Sequence, residues 1–470
     1  LINKTKLKSI IRGRISYLRA MDSGLVKTFE GEIKGDMKKI KVNPLTMSDF
    51  QTEAYNAAYN LDKGKGKEID LNEVEEDDDK KGQGLYDKSR QASLFVFPDG
   101  SYGPEGFEKY VKYNGKKYSL LKEFENELTE NGKANVNKII NNIKKYSSTY
   151  AATLTEIIRH PDENVFVYNK FVQGSGAILF CELLKLVGFD KTKGNLEFEE
   201  EMERDDSDGS DGDVRDAGDI GDMNYNMDDF IDSDDESDDE EDKEESEDDG
   251  DKSEDDGESI KGGILKTKKF AIITGESASE SEIERIIDTV FNDRRNKNGK
   301  YIQVIVGSQI IGEGKSLKNI RQIHIQTPHW NNSETEQAIG RGIRAFSHDD
   351  LKLEDRFVKV FRHTSFPLSD LESIDYLMYR ISELKEIKIK QIERICKELA
   401  IDCELNKDRN LLSTDVDGSR ECEYLKCSYK CEYSNDSMYS NDQITDTYNL
   451  YYAKNKLDII TKIIKKLFRK

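Results

Sequence analysis

Short runs rich in β-branched and aromatic residues alternate with segments of helical periodicity through the middle of this chain. Strands that alternate with helices predict an α/β fold, a parallel sheet covered by helices on both faces. Such sheets bind ligands beyond the carboxyl ends of their strands. The predicted strands are Asn164–Tyr168, Phe270–Thr274, Tyr301–Ser308, Gln322–Gln326 and Phe357–His363. Three helices are predicted: one that ends at about Val187, one over about Ser281–Phe291 and one over Ser333–Phe346.

Two polar segments interrupt this pattern. Residues 62–84 are charged and glycine-rich and predict a linker, and residues 197–262 are a tract of Asp, Glu, Ser and Gly that cannot bury enough apolar surface to offset the entropy of ordering it. We therefore expect a disordered acidic insertion in a surface loop. Residues 197–258 carry a net charge of −30 and the whole chain −22, so the remainder carries +8, which suits a phosphate-binding surface. A solvated insertion is favoured; an interaction tail or an electrostatic mimic of nucleic acid is the alternative.

The six cysteines are too few for a secreted disulfide scaffold, so an intracellular, reducing setting is expected. Cys422, Cys427 and Cys431 are clustered, with Cys403 or Cys396 as a fourth candidate. Three clustered thiols suggest a zinc site, but the usual two-residue gap is missing, so buried thiols remain the alternative. Cys181 is expected in the core.

The ends of the chain show no membrane segment. No apolar run reaches the ~18–20 residues that a membrane span needs, and no signal-peptide pattern opens the sequence. The chain begins with Leu1, and its last predicted helix, about Leu457–Lys470, runs to the end without a cap. We therefore expect an excised fragment. Residues 369–400 are predicted to form one or two long amphipathic helices.

The segment Ser333–Phe346 is the most informative in the chain. Ser333 and Glu336 have the spacing of a capping box. Gln337, Arg341 and Arg344 recur at four and three residues, which places them on one face of a helix whose opposite face is apolar. That apolar face consists of Ile339, Gly342, Ile343 and Phe346, and the glycine predicts close packing there. Two guanidinium groups suit the oxygens of a transferring phosphoryl group, whereas ordinary surface ion pairs are the alternative.

Two glycine-bearing segments follow predicted strands. Gly314-Lys315-Ser316 resembles the end of a phosphate-binding loop, but the glycine required five positions earlier is Gln309, so no such loop is predicted. Gly174-Ser175-Gly176 lies between a strand and a helix, where backbone N–H groups could bind a phosphate; a plain turn is the alternative.

The sequence from Gly307 to Trp330 together with Gln337–Arg344 resembles motifs V and VI of superfamily-two helicases. Gln337, Gly340, Arg341 and Arg344 match the pattern Q-x-x-G-R-x-x-R. Within that superfamily, the chain is most similar to the ATPases of poxviruses and other large cytoplasmic DNA viruses, a group that includes the early transcription factor ATPase subunit and nucleoside triphosphatase I. The segments that carry this similarity are Arg12–Ala20, Pro44–Tyr55, Ser89–Gly103, Asn164–Ala177 and Lys385–Asn406.

The resemblance implies a role for each motif. Arg341 and Arg344 would be arginine fingers directed at the γ-phosphate of ATP, and Gln337 would orient the same region. The segment Gly312–Gly314 (Gly312, Glu313 and Gly314), together with Gly340, would contact the nucleotide. Nucleic acid would be held by Gly174, Ser175 and Gly176, with Lys170 and Lys315 as backbone contacts.

The resemblance also implies a RecA-like second helicase lobe. The ATP and Mg²⁺ would be held mainly by a first lobe that this chain lacks, so we expect no hydrolysis by the chain alone. The proposed boundaries are 1–45 for the tail of the first lobe and crossover, 46–196 and 263–366 for the second lobe, 367–435 for a helical cysteine-containing extension and 436–470 for the start of a further helical domain.

The expected function is therefore that of a viral helicase or translocase acting on DNA, more than RNA, in early transcription. Its partners would be nucleic acid, its own first lobe and a viral RNA polymerase or transcription factor subunit, with no membrane. By the same resemblance it would reside in the virion and the infected-cell cytoplasm. The competing hypothesis is a non-enzymatic docking module for RNA polymerase or a partner factor.

Overall fold

The computed structural model describes residues 3–12, 14–19, 25–64, 85–115, 117–192, 268–274, 279–308, 315–432, 461–462 and 464–465. Most of the predicted linker, the acidic insertion, the segment Gly312–Gly314 and most of the last predicted helix therefore lie outside the described residues. Asp62 and Lys63, assigned to the linker by sequence, instead belong to a helix, and the Asp62 carboxylate accepts hydrogen bonds from both the N–H and the hydroxyl of Ser89.

The described residues form one eight-stranded parallel sheet. Its order is β1-β10-β9-β5-β8-β7-β6, and β2 also pairs with β10. The strands are β1 (Val26–Phe29), β2 (Asn43–Thr46), β5 (Asn164–Tyr168), β6 (Phe189–Lys191), β7 (Lys268–Ile273), β8 (Val304–Gly307), β9 (Ile320–Ile325) and β10 (Phe357–Phe366), while β3 (Val111–Tyr113) and β4 (Tyr118–Leu120) form a separate antiparallel pair. The predicted parallel α/β fold is confirmed.

The helices follow the periodicity of the sequence. The predicted helix of residues 369–400 is a single 26-residue helix, and the segment around Ser281–Phe291 is a short α-helix continued by a π-helix over Arg285–Phe291. The helices are α1 (Lys4–Ile11), α2 (Asp49–Lys63), α3 (Asp87–Leu94), α4 (Gly103–Tyr110), α5 (Lys122–Thr129), α6 (Val136–Lys144), α7 (Ser148–Arg159), α8 (Ala177–Leu186), α9 (Glu280–Glu284), α10 (Asn332–Gly340), α11 (Ile374–Leu399) and α12 (Lys407–Asn410).

Both faces of the central strands are covered. On one face, Val165 and Val167 of β5 join a large apolar cluster that includes residues of α7 and α8. Because side chains alternate along a strand, Phe166 lies on the opposite face, and it is also buried. Every residue of β5, β8 and β9 is buried, which explains why β5 and β8 show an apolar run rather than alternation.

The N-terminal segment contributes to this same sheet, which the sequence analysis did not anticipate. β1 and β2 both pair in parallel with β10. The carboxylate of Glu383 in α11 accepts hydrogen bonds from the backbone N–H groups of Lys38, Lys39 and Ile40, so the connection between the two strands is tied to the long helix. Strand formation here depends on a partner more than 300 residues away, which local sequence does not encode.

The cysteines of the C-terminal extension form disulfides. Cys403 pairs with Cys431 and Cys422 with Cys427, with Cα–Cα distances of 5.8 and 4.7 Å. The expectation of a zinc site at Cys422, Cys427 and Cys431 is wrong because their sulfur atoms are bonded in pairs. No group of three or more metal-ligating side chains occurs in the described part of the chain. Cys181 is buried in α8, as predicted; it is a free thiol, and burial raises its pKa.

Trp330, in the loop between β9 and α10, is buried in a cluster with residues of α2 and α11, so its ring is not exposed for stacking on a base. Among the described residues, no helix has the length and apolar character to cross a membrane.

Candidate functional site

The N-cap residue of α10 lies two residues earlier in the chain than the sequence predicted. Asn331, not Ser333, is the N-cap, and its side chain accepts a hydrogen bond from the N–H of Glu334. The predicted capping box of Ser333 and Glu336 is wrong because Glu336 is engaged elsewhere. An Asn at this position satisfies an otherwise unpaired N–H as well as a Ser does.

Glu336 anchors α10 to the rest of the fold. Its carboxylate accepts a hydrogen bond from Arg362 of β10 at 2.8 Å and lies 3.7 Å from Arg420 in the C-terminal extension. Burial alone would raise the pKa of Glu336, but the charges of Arg420 and Arg362 lower it below its usual value. The helix is therefore fixed by a buried ion pair, which leaves its exposed face, with Gln337, available for other contacts.

The helix ends at Gly340, six residues before the predicted end at Phe346. Arg341 and Arg344 therefore lie in the turn that follows α10, not on the helix itself. Gly342 provides the close approach that was predicted, since a Cβ there would lie 3.0 Å from Ile320 and 3.1 Å from Ile323. A Cβ at Gly340 would meet no atom within 4 Å, so this position borders open space.

Phe346 departs from the predicted apolar face. Its side chain is 79% exposed, and its φ of 64° lies in the left-handed region. The helical periodicity that placed Phe346 beside Ile339 does not apply beyond Gly340, where the chain leaves the helix.

The two arginines lie near the amino end of β9. Arg344 Nη1 donates a 2.7 Å hydrogen bond to Ser316 Oγ, and the carbonyl of Arg341 accepts one from the N–H of Leu317. Both partners directly precede β9. The helix α10 starts after the carboxyl end of β9 and ends near its amino end, so the turn that carries both arginines lies at the amino edge of this strand.

The segment Lys315–Asn319 connects the two helical layers around this turn. Asn292, just after the π-helix, donates from Nδ2 to the carbonyl of Ser316 and accepts from the N–H of Lys318. On the other side, the N–H of Asn319 donates to the carbonyl of Ser347. Sequence reasoning missed Ser316 and Asn292, since a single Ser or Asn in a loop gives no periodic or spacing signal.

Lys315 is engaged within the chain. Its ammonium group lies 3.0 Å from Glu284 and 2.9 Å from Asp288, and the hydrogen bonds that it donates to Asp288 and Glu284 raise its pKa. The predicted contact with a nucleic-acid backbone is not supported for Lys315, because two carboxylates already surround its charge.

The segment Gly174-Ser175-Gly176 is buried at the carboxyl edge of the sheet. The N–H of Ser175 donates to Gln91 Oε1, its hydroxyl donates to the carbonyl of Phe95, and its own carbonyl accepts from the Tyr150 hydroxyl. Gly174 adopts a φ of 67°, the conformation of a turn. The structure thus favours the plain turn that joins β5 to α8, and contact with nucleic acid is wrong for Ser175.

Lys170 lies at the same edge of the sheet, near the buried side chain of His329. Its N–H donates to Thr327 Oγ1, and the hydroxyl of Tyr168 bonds His329 Nε2 at 2.7 Å. His329 Nδ1 lies 2.6 Å from Glu334, at the start of α10. Burial lowers the pKa of His329, and its hydrogen bond lowers the pKa of Glu334. This neutral histidine fixes the start of α10 to the end of β5.

Comparisons with known proteins place this arrangement among helicases. Residues 258–346 match the model of the family "Helicase conserved C-terminal domain". The "Putative helicase 087L" of Invertebrate iridescent virus 3 is 31% identical over 443 residues, 93% of this chain and 36% of that protein. The "Putative ATP-dependent RNA helicase L377" of Acanthamoeba polyphaga mimivirus is 26% identical over 535 residues, 98% of this chain and 41% of that protein.

A shorter similarity extends to the "Nucleoside triphosphatase I" of Heliothis armigera entomopoxvirus, which is 36% identical over 112 residues, 24% of this chain and 17% of that protein. The chain spans well under half the length of each of these relatives.

Proposed function

Because this chain is a superfamily-two helicase C-terminal region of the large-DNA-virus type, we propose that it is the second lobe of an ATP-driven motor that moves along nucleic acid. Arg341 and Arg344 supply positive charge to the transferring phosphate of ATP, and Gln337 and Gly340 border the same nucleotide. A separate lobe holds the nucleotide and its Mg²⁺. No cluster of carboxylates among the described residues suits a metal ion, so we assign no metal ligand here.

The state of Arg344 carries this proposal. Its guanidinium group is oriented by the neutral hydroxyl of Ser316, and no carboxylate forms an ion pair with it in the described part of the chain. A hydroxyl fixes the direction of the side chain without neutralising its charge. An arginine held in this way suits the charge of a phosphoryl-transfer transition state, and such arginines contribute roughly 10³–10⁵ in kcat.

The position of Arg344 at the amino edge of the sheet is compatible with a nucleotide held by another lobe. The rule that ligands bind beyond the carboxyl ends of strands concerns the lobe that binds the ligand with its own loops. A second lobe needs only to present charge from one side. Ser316 and Asn292 then join the arginine turn to the π-helix, so a displacement of the turn is transmitted to the other helical layer.

We propose DNA as the nucleic acid and viral early transcription as the process, with a viral RNA polymerase or transcription factor subunit as partner in the virion and the infected-cell cytoplasm. Support comes from the net charge of +8 outside residues 197–258 and from the relationship to a poxviral nucleoside triphosphatase. One relative is named as an RNA helicase, so RNA is the alternative nucleic acid along which the motor would move. Stimulation of ATP hydrolysis by DNA and not by RNA of the same sequence is expected; the reverse would replace DNA in the proposal.

The test is the Arg344→Ala variant of the complete gene product. Hydrolysis is expected to fall by at least 10³-fold while nucleotide binding is retained, because the phosphate-binding lobe is untouched. The matched control is Arg294→Ala, since the Arg294 side chain is 82% exposed. Wild-type turnover by Arg344→Ala would reject the assignment. The chain of residues 1–470 alone is expected to hydrolyse no ATP.

A further inference from the structure

Phe346 has an exposed aromatic ring and lies in the arginine turn, the irregular segment after α10 that carries Arg341 and Arg344. Its side chain is 79% exposed, and its left-handed φ of 64° is a conformation that costs free energy for a residue with a large side chain. In the described part of the chain, no other ring packs against it. The exposed ring adds no apolar burial that would offset the cost of this backbone conformation.

The residues on both sides of Phe346 are locked. The N–H of Ser347 donates to the carbonyl of Arg344, and the Ser347 hydroxyl bonds the same carbonyl at 2.8 Å. His348 Nε2 bonds the carbonyl of Ile320 at 2.6 Å and is buried. The turn is therefore held against the amino end of β9 on each side of position 346. The backbone that carries the exposed ring is therefore fixed by hydrogen bonds.

Phe346 also lies close to the proposed phosphate contact. One residue, Ala345, separates it from Arg344, so their Cα atoms are at most about 7 Å apart. The guanidinium group of Arg344 bonds the Ser316 hydroxyl, and the ring of Phe346 is in solvent, so a charge and an exposed aromatic ring occur within three residues of one turn. A nucleoside triphosphate carries a matching pair of features, an anionic phosphate chain and a flat base.

We propose that Phe346 stacks on the base of the nucleotide whose phosphate Arg344 contacts, and that it makes the motor prefer purine over pyrimidine nucleotides. This inference rests on the proposed function, because it requires a nucleotide at the arginine turn. Stacking needs only one aromatic face and is stronger for the larger ring system of a purine.

The alternative occupant is an apolar surface of the nucleotide-holding lobe. A stable protein interface buries on the order of 800 Å² on each partner, with a cluster of apolar side chains at its centre. The neighbours of Phe346 do not supply one: Arg344 is charged, and Ser347 and His348 are buried. A lone ring suits a base better than a protein surface.

The experiment compares steady-state hydrolysis of ATP and CTP by the complete gene product and by its Phe346→Ala and Phe346→Trp variants. For Phe346→Ala we expect KM for ATP to rise about 10-fold with kcat at saturation within twofold, and the preference for ATP over CTP to shrink. Phe346→Trp should restore both. The matched control is Leu353→Ala, since Leu353 is an apolar side chain of comparable exposure, 83%.

Each outcome separates the two proposals. An unchanged KM and an unchanged ATP preference in Phe346→Ala would overturn base stacking while leaving the role of Arg344 intact. A loss of kcat equal for ATP and CTP, without a change in the preference between them, would assign Phe346 to the contact between lobes instead. Wild-type hydrolysis by Arg344→Ala would remove the proposed function on which both depend.

Discussion

Arg344 and Ser316 are joined by a 2.7 Å hydrogen bond from guanidinium Nη1 to hydroxyl Oγ, across 28 residues of sequence. Ser316 precedes β9 and Arg344 follows α10, so this bond closes the strand–helix unit that contains the helicase motif. The same serine accepts a hydrogen bond from Asn292 through its backbone carbonyl. The direction of the arginine therefore depends on a residue from the glycine-bearing loop segment and not on the helix that precedes it.

The first prediction concerns this hydroxyl. Ser316→Ala in the complete gene product should lower kcat for ATP by about 10-fold, since a hydrogen bond to a charged group contributes about 1.5–3 kcal/mol and part of that orients Arg344. Ser316→Thr keeps the hydroxyl and should stay near wild type. Full activity of Ser316→Ala would show that the hydroxyl does not orient the arginine.

Replacing Gly340 or Gly342, which flank Arg341, with alanine should change the free energy of unfolding in different ways. Gly342→Ala should lower the free energy of unfolding by about 1–3 kcal/mol, because its Cβ would press on Ile320 and Ile323 in a packed core. Gly340→Ala should leave stability unchanged or raise it by up to about 1 kcal/mol, because nothing lies within 4 Å and alanine favours the helix. Urea unfolding of both variants measures the difference; equal destabilisation would contradict the close packing at 342.

The buried ion pair of α10 should matter more than a surface pair. Glu336→Gln should lower the free energy of unfolding by about 3 kcal/mol, because it leaves the buried guanidinium group of Arg362 without a counter-charge. The same substitution at Glu354, whose side chain is 76% exposed, should change it by less than about 0.5 kcal/mol. Comparable unfolding midpoints for both variants would count against the anchoring role.

The free energy of unfolding should fall as the pH drops below the ordinary pKa of histidine. His324 Nδ1 and His363 Nε2 lie 2.9 Å apart, both rings are buried, and burial lowers the pKa of His324 well below normal and that of His363 to about 3. An unfolded histidine has a pKa near ~6.5, so below that pH the unfolded chain binds protons that the folded chain excludes.

The expected slope is a loss of roughly 1.4 kcal/mol of unfolding free energy per pH unit for each of these two histidines as pH falls from about 6.5 towards 5. Asp375 opposes it, since burial raises the pKa of that carboxyl to about 6 and stability is gained as it protonates. His363→Gln should remove about one histidine's share of the slope. An unaltered slope in His363→Gln would refute the explanation.

Thiol counting tests the cysteine pairing. Unfolded, unreduced protein should show two reactive thiols, Cys181 and Cys396, and reduced protein six. Reduction should also destabilise the C-terminal extension, by about 3–4 kcal/mol for the 28-residue separation of Cys403 and Cys431 in a chain-entropy estimate. Six thiols before reduction, or stoichiometric zinc in the purified protein, would contradict the disulfides.

The sequence identified the central elements because their signals are local. The strand Asn164–Tyr168 has the predicted bounds. Its apolar run is flanked by polar turn residues, so the sequence itself marks where the buried strand starts and stops. The pattern of Gln337, Gly340, Arg341 and Arg344 likewise needs no structure to be recognised. The end of α10 was misplaced because the same spacing fits both a helix and the irregular turn that replaces it after Gly340.

Sequence alone thus determined the parallel α/β class, the helicase motif and the close packing of Gly342, all of which depend on periodicity, residue type or spacing within a few turns. Only the tertiary structure decided that β1 and β2 join β10, that Glu336 pairs with Arg362, that Ser316 orients Arg344 and that Ser175 is buried. Each of these relationships joins residues distant in the chain. Their partners are selected by the geometry of packing, which no local pattern of residues records.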